Sequence, residues 1–133
     1  MRDFLDTALN TATSNGASYA DIRISRHKNQ SIRTRENRVD RISNSESYGF
    51  GVRVLVDGTW GFAASHRLTK SNVAKITRRA LEIAQANKVA QRLPVELAAV
   101  DSYEDEWLSP IKKDPFQVPI DEKIDLLLTV NAE

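Results

Sequence analysis

The stretch Gly49–Ser65, GFGVRVLVDGTWGFAAS, decides the fold. Two apolar runs flank Asp57-Gly58, a dipeptide that accepts the backbone angles of a tight turn, so the segment reads as a β-hairpin. Its register follows from side-chain alternation. A two-residue Asp57-Gly58 loop sets Val54 opposite Gly61 and Val52 opposite Ala63, with Trp60 and Phe62 on the face away from the valines. A three-residue Val56-Asp57-Gly58 loop sets Val54 opposite Trp60, Val52 opposite Phe62 and Phe50 opposite Ala64. A one-residue slip carries a whole set of side chains to the other face. The register that gathers all six apolar side chains is therefore the expected one, with Gly58 in the left-handed position of a type I turn with a bulge. The second face then becomes Gly51, Gly61 and Ala63 around Arg53. Small residues let another backbone approach closely, and the guanidinium suits a carboxylate of the acidic segment, of a partner or of a peptide terminus. Gly51, Arg53, Gly61 and Ala63 are accordingly the expected docking or substrate-facing strip.

Outward from the hairpin, residues 3–15 predict a first helix, since Phe4, Leu5, Ala8, Leu9 and Ala12 form one apolar stripe. Asp3 is placed to cap its start and Gly16 to end it. Ala20, Ile22 and Ile24 alternate with polar residues as in a strand, and Lys28-Asn29-Gln30 reads as a polar break. Ser31–Arg35 and Arg38–Ser43 are two more strand candidates around Glu36-Asn37. Their apolar content is thin, which predicts a sheet with one solvated side. Residues 69–87 predict a second helix through Val73, Ile76, Ala80, Ile83 and Ala84, capped by Thr69 or Ser71. The expected fold is α+β: a mostly antiparallel sheet of about five strands, with both helices on one face.

Beyond Lys88 the character changes. All four prolines lie between 94 and 119, and Glu96, Asp101, Glu104, Asp105 and Glu106 form a run of acids without a base. Residues 93–118 read as an extended acidic, Pro-rich connection with one short strand at Val95–Val100. Trp107, Ile111 and Phe116 are expected to pin it to a surface. Pro119 followed by acids opens a third helix through Ile120, Ile124, Leu127 and Leu128. It shows no stop signal, so it is expected to run off the chain end. The organisation is then a domain over 1–92, a connection over 93–118 and, over 119–133, the start of a helix leading into a missing C-terminal part.

Composition bounds the chemistry. The 133 residues can build one core. With no cysteine, thiolate metal sites and thiol nucleophiles are excluded from the chain, and a reducing, cytoplasmic setting fits. No run approaches the ~18–20 apolar residues of a membrane span. Residues 1–95 carry 16 Lys/Arg against 8 Asp/Glu, and residues 96–133 carry 3 against 10. An acidic tail can lie on its own basic body or on a partner, or the body can bind polyanions. His27 and His66 are far apart and lack ligand spacing, so no metal ligand is assigned. Ser65-His66 would point to opposite strand faces, and no nucleophile elbow is present. Gly49-x-Gly51 enters a strand where a dinucleotide cradle needs a helix. Arg23, Arg26, Lys28, Arg33, Arg35, Arg38 and Arg41 can track phosphates, but no aromatic residue is interleaved, which favours a solvated sheet face over a nucleic-acid platform.

The order of several segments is similar to one known family. GASYADIRI (16–24), SIRTRENRVDRIS (31–43), SYGFGVRVLVDGTWGFAAS (47–65) and DEWLSPIKKDPFQVPIDEKIDLLL (105–128) resemble the N-terminal domain of the TldD/PmbA family, also called modulators of DNA gyrase. Gly49, Gly51, Val52, Arg53, Val54, Gly58, Trp60, Gly61 and Phe62 carry the sharpest part. The resemblance implies a longer metalloprotease that cleaves unfolded peptides in a closed cavity, as a homodimer or as a heterodimer of two paralogues. It implies zinc held downstream by a His-Glu-x-x-x-His helix and a later Cys, if this is the catalytic paralogue. Neither ligand set lies in this chain, so no catalytic residue is carried over. The implied role is to wall the cavity and position peptide, with the C-terminal domain of the same protein as first partner. The alternative is a freestanding nucleic-acid or gyrase-associated module using the basic sheet face.

Overall fold

A computed structural model describes residues 2–132. The elements run α1 (Arg2–Ser14), β1 (Tyr19–Arg35), β2 (Arg38–Val56), β3 (Thr59–Ser65), α2 (Lys70–Asn87), a 3-10 turn at Lys88–Ala90, and α3 (Ile120–Asn131). The fold is α+β, with three antiparallel strands in the order β1-β2-β3. The expected five strands are three because two pairs fuse. Lys28-Asn29-Gln30 lies inside β1, and Ser43–Tyr48 lies inside β2. No Gly or Pro occurs between Ala17 and Tyr48. Polarity alone does not interrupt a strand whose backbone is paired; a residue that breaks the pairing is needed.

The chain divides into two compact units. The first holds Met1–Arg26 and Ser47–Ala99. Its core joins Phe50, Val52, Val54 and Val56 of β2 to Ala8 and Ala12 of α1 and to Val73, Ala80, Leu81 and Ala84 of α2. Small alanines on both helices let their axes come close to the sheet. Asp3 lies in the first turn of α1 and does not cap it; its carboxylate meets Lys70 at 3.0 Å, at the start of α2. Helix α1 stops as its sequence predicts. Gly16 has φ +84°, Gly16 N–H donates to Thr13 O and Ala17 N–H to Ala12 O, the paired bonds of a Schellman end. Thr69 caps α2, its hydroxyl accepting from Asn72 N–H at 3.3 Å. Asn72 in turn donates to Ser65 Oγ and Arg67 O, fixing the β3–α2 connection.

The second unit holds His27–Glu46 and Val100–Glu133. Here β1 and β2 form a ribbon around the Glu36-Asn37 turn, with α3 against it. Asn131 donates to Thr34 Oγ1 at 3.0 Å and to Glu36 O at 3.1 Å, tying the last turn of α3 to the ribbon tip. Lys123 Nζ donates to Gln30 Oε1. Ile124, Leu127 and Leu128 are half-buried, and α3 buries no residue completely. Two expectations for the connection fail. Val95–Val100 is not a strand; only Val95 N–H reaches across, to Gly58 O at 2.8 Å. Trp107 and Ile111 are not anchors, being 81% and 62% exposed.

Candidate functional site

The Asp57-Gly58 loop has two residues, both with positive φ (49° and 75°), as in a type I′ turn. The three-residue loop expected from the sequence is therefore wrong. Val54 pairs with Gly61, Val52 with Ala63 and Leu55 with Trp60. Counting apolar side chains favoured the wrong register because it ignored the space under α2. A Cβ on Gly61 would lie 2.0 Å from Ala80 O and 2.6 Å from Ala84 N. The helix backbone thus sits directly on Gly61, and a Trp or Phe on that face would push it off.

The turn itself is held by the chain after α2. Lys88 meets Asp57 at 2.7 Å, Gln91 Nε2 and Val95 N–H both donate to Gly58 O, and Pro94 packs where a Gly58 side chain would stand.

The expected strip consequently divides. Gly61 and Ala63 belong to the helix face, whereas Gly51 and Arg53 lie on the opposite face with Trp60 and Phe62. That face is not bare. A Cβ on Gly51 would meet the Phe62 ring at 2.8 Å, so the glycine makes room for a phenyl ring lying across the strand. Arg53 Cζ stacks 4.6 Å from the Trp60 ring centroid, and Tyr19 meets the same indole edge-on at 5.8 Å. Arg53 gives both Nε (2.8 Å) and Nη2 (2.6 Å) to Asp21 Oδ2, and that bond holds its proton more firmly than usual. The partner of Arg53 is thus Asp21 of the neighbouring strand, not the acidic segment. Arg23 approaches the other Asp21 oxygen at 3.6 Å. Phe62 remains 59% exposed and the Arg53 side chain 41%, so the layer Tyr19–Trp60–Arg53–Phe62 faces outward. Asp21 and Tyr19 were missed as site residues; the alternation Tyr19-Asp21-Arg23 on one strand face was the available signal.

Other candidates settle simply. His27 and His66 are exposed. Among the described residues no group of three or more His, Cys, Asp or Glu converges on a metal position. The side chains of the described residues do not fit a zinc ion. Within the basic set, Arg33 is paired with Asp40 at 3.3 Å. The second unit carries a pocket of about 430 Å³ between β1, Pro115-Phe116 and α3, which sequence reading did not find. No helix among the described residues is long and apolar enough to cross a membrane.

Comparison with known proteins agrees with the fold. The model of PmbA/TldA metallopeptidase domain 1 matches residues 20–84, from β1 to the end of the α2 core stripe. A metalloprotease of Methanocaldococcus jannaschii is 26% identical over 110 residues, covering 83% of this chain and 24% of that protein. The crystal structure of a candidate modulator of DNA gyrase from Bacteroides thetaiotaomicron superposes with TM-score 0.70 at 17% identity. It covers 97% of this chain and 29% of its own. The chain thus spans about a quarter of the length of these relatives. Through the sheet and helix of residues 20–84, the chain matches the first domain of the PmbA/TldA metallopeptidase family.

Proposed function

We propose that this chain is the non-catalytic N-terminal domain of a TldD/PmbA-like zinc metalloprotease acting on unfolded peptides, and that it walls the cavity and positions substrate. The match of its sheet and α2 to the first metallopeptidase domain carries this reading. In it, residues 1–92 are the domain proper, 93–118 the connection and 119–133 the lead into the catalytic part, which holds the zinc. Its partners are that C-terminal part, a second subunit (identical or paralogous) and peptide, in the cytoplasm. The outward layer of Phe62, Arg53 and Trp60 supports the positioning role, since it offers apolar faces and a fixed cation to an extended chain.

The test is made on the full-length protein. Bound zinc and cleavage of a denatured protein, alone or mixed with its paralogue, are expected. A full-length protein that holds no zinc and cleaves nothing in either setting would sink the reading. The likeness to a candidate modulator of DNA gyrase from Bacteroides favours a second reading, a gyrase- or nucleic-acid-associated module. Several phosphate contacts would make DNA binding fall steeply with salt; no DNA shift even at low salt removes it.

A further inference from the structure

We propose that the outer edge of β1, together with the pocket beside it, captures the C-terminus of an extended peptide ending in a large apolar residue. Three features of the second unit converge on this. The sheet order leaves β1 outermost, with β2 as its one strand neighbour. Alternate N–H and C=O groups of Asn29–Ile32 therefore point off the edge, and among the described residues no main-chain hydrogen bond ties them to residues 110–118. An edge of this kind accepts an added strand through main-chain bonds, while adjacent pockets choose side chains.

Of the strands, the pocket is lined by β1 alone, at Asn29, Gln30 and Ile32. Ile32, Pro115, Phe116, Leu126 and Leu127 give it apolar walls around about 430 Å³, inside the range of roughly 300–1,000 Å³ typical of ligand pockets. Leu126 is 66% and Phe116 48% exposed, so apolar surface faces water until something covers it. The charge says what kind of group completes the site. Lys123 is the sole charged residue of the lining, is half-buried, and spends one donor on the neutral amide of Gln30. The ammonium has two further donors and no carboxylate against it in the pocket. A chain-terminal carboxylate complements it, the last side chain fills the apolar groove, and the preceding backbone pairs with β1. The strand edge selects a peptide over a fatty-acid anion, which offers the same two end chemistries without a backbone.

This inference takes from the proposed function only that the ligand is peptide. Labelled hexapeptides ending in free Leu or in Leu carboxamide are titrated by fluorescence anisotropy against the full-length protein, with chelator present to stop cleavage. The free acid is expected to bind about tenfold tighter, the scale of one charge-assisted hydrogen bond. Lys123→Gln brings the acid down to the amide, Lys123→Arg keeps the preference, and Leu126→Glu weakens both. The acid–amide comparison needs no variant, so a folding defect cannot imitate it. Equal affinity for acid and amide, a preference that survives Lys123→Gln, no saturable binding, or displacement by decanoate as strong as by peptide overturns the proposal. Loss of cleavage with the preference intact would count instead against the protease reading.

Discussion

The hairpin around Asp57-Gly58 and the ribbon around Glu36-Asn37 share strand β2, yet one half of that strand is core and the other is surface. Phe50, Val52, Val54, Leu55 and Val56 are buried, whereas every residue from Glu36 to Tyr48 is exposed. The turns differ as well. Asp57 and Gly58 take positive φ with residues suited to it, but Glu36 sits at φ 55°, where a long side chain is strained. The lesson is that pairing propagates a strand well past the point where burial stops stabilising it. A hydrophobic core fixes one half; hydrogen bonds and α3 carry the other.

That contrast can be broken most severely at Gly61. Gly61→Val puts methyl groups into the α2 backbone, and a loss of at least about 3 kcal/mol, or failure to fold, is expected from thermal melts. Val52→Ala empties a fully buried site facing α2 and should cost about 2 kcal/mol in denaturant unfolding. Arg53→Gln removes a half-exposed ion pair and the stacking on Trp60. About 1 kcal/mol is expected, falling with added salt as the ion-pair part is screened. Glu36→Gly relieves the left-handed strain at the ribbon tip and should raise stability by about 0.5–1 kcal/mol. The smallest effect concerns Asp3, whose hydrogen bond from Lys70 holds its carboxyl below the ordinary 3.8. A lowered pKa stabilises the folded state above the ordinary value and is lost as pH falls through 3.8 and below. Asp3→Asn should flatten that acid-side slope slightly and lower the midpoint at pH 7 by the same small amount, the two proteins converging as pH falls below 3.8.

Much of this was legible in the chain. The stripes at Phe4–Ala12 and Val73–Ala84 gave both helices that cover the sheet, and Gly16 gave the end of the first. The register was not legible, because the decisive quantity is the distance from a strand to a helix backbone. Apolar counting rewards Trp60 and Phe62 for joining the valines; sterics at Gly61 forbid it. The same error misplaced half of the candidate strip. The fused strands were missed because polarity was read as a break. The Arg53–Asp21 pair depends on strand neighbours 32 residues apart, which spacing alone does not show. The pocket beside β1 needs Pro115, Phe116 and α3 brought to a strand far earlier in sequence.

Native-state hydrogen exchange on the full-length protein, with and without a Leu-ended peptide, tests the central contrast most directly. The account predicts that amides of Phe50–Val56 and Thr59–Ser65 exchange only on global unfolding, while those of Arg38–Asn44 exchange far faster. Peptide should slow the edge amides of Asn29–Ile32 and leave the Asp57-Gly58 hairpin unchanged. Equal protection along the whole of β2, or peptide protection confined to the core hairpin, would contradict it.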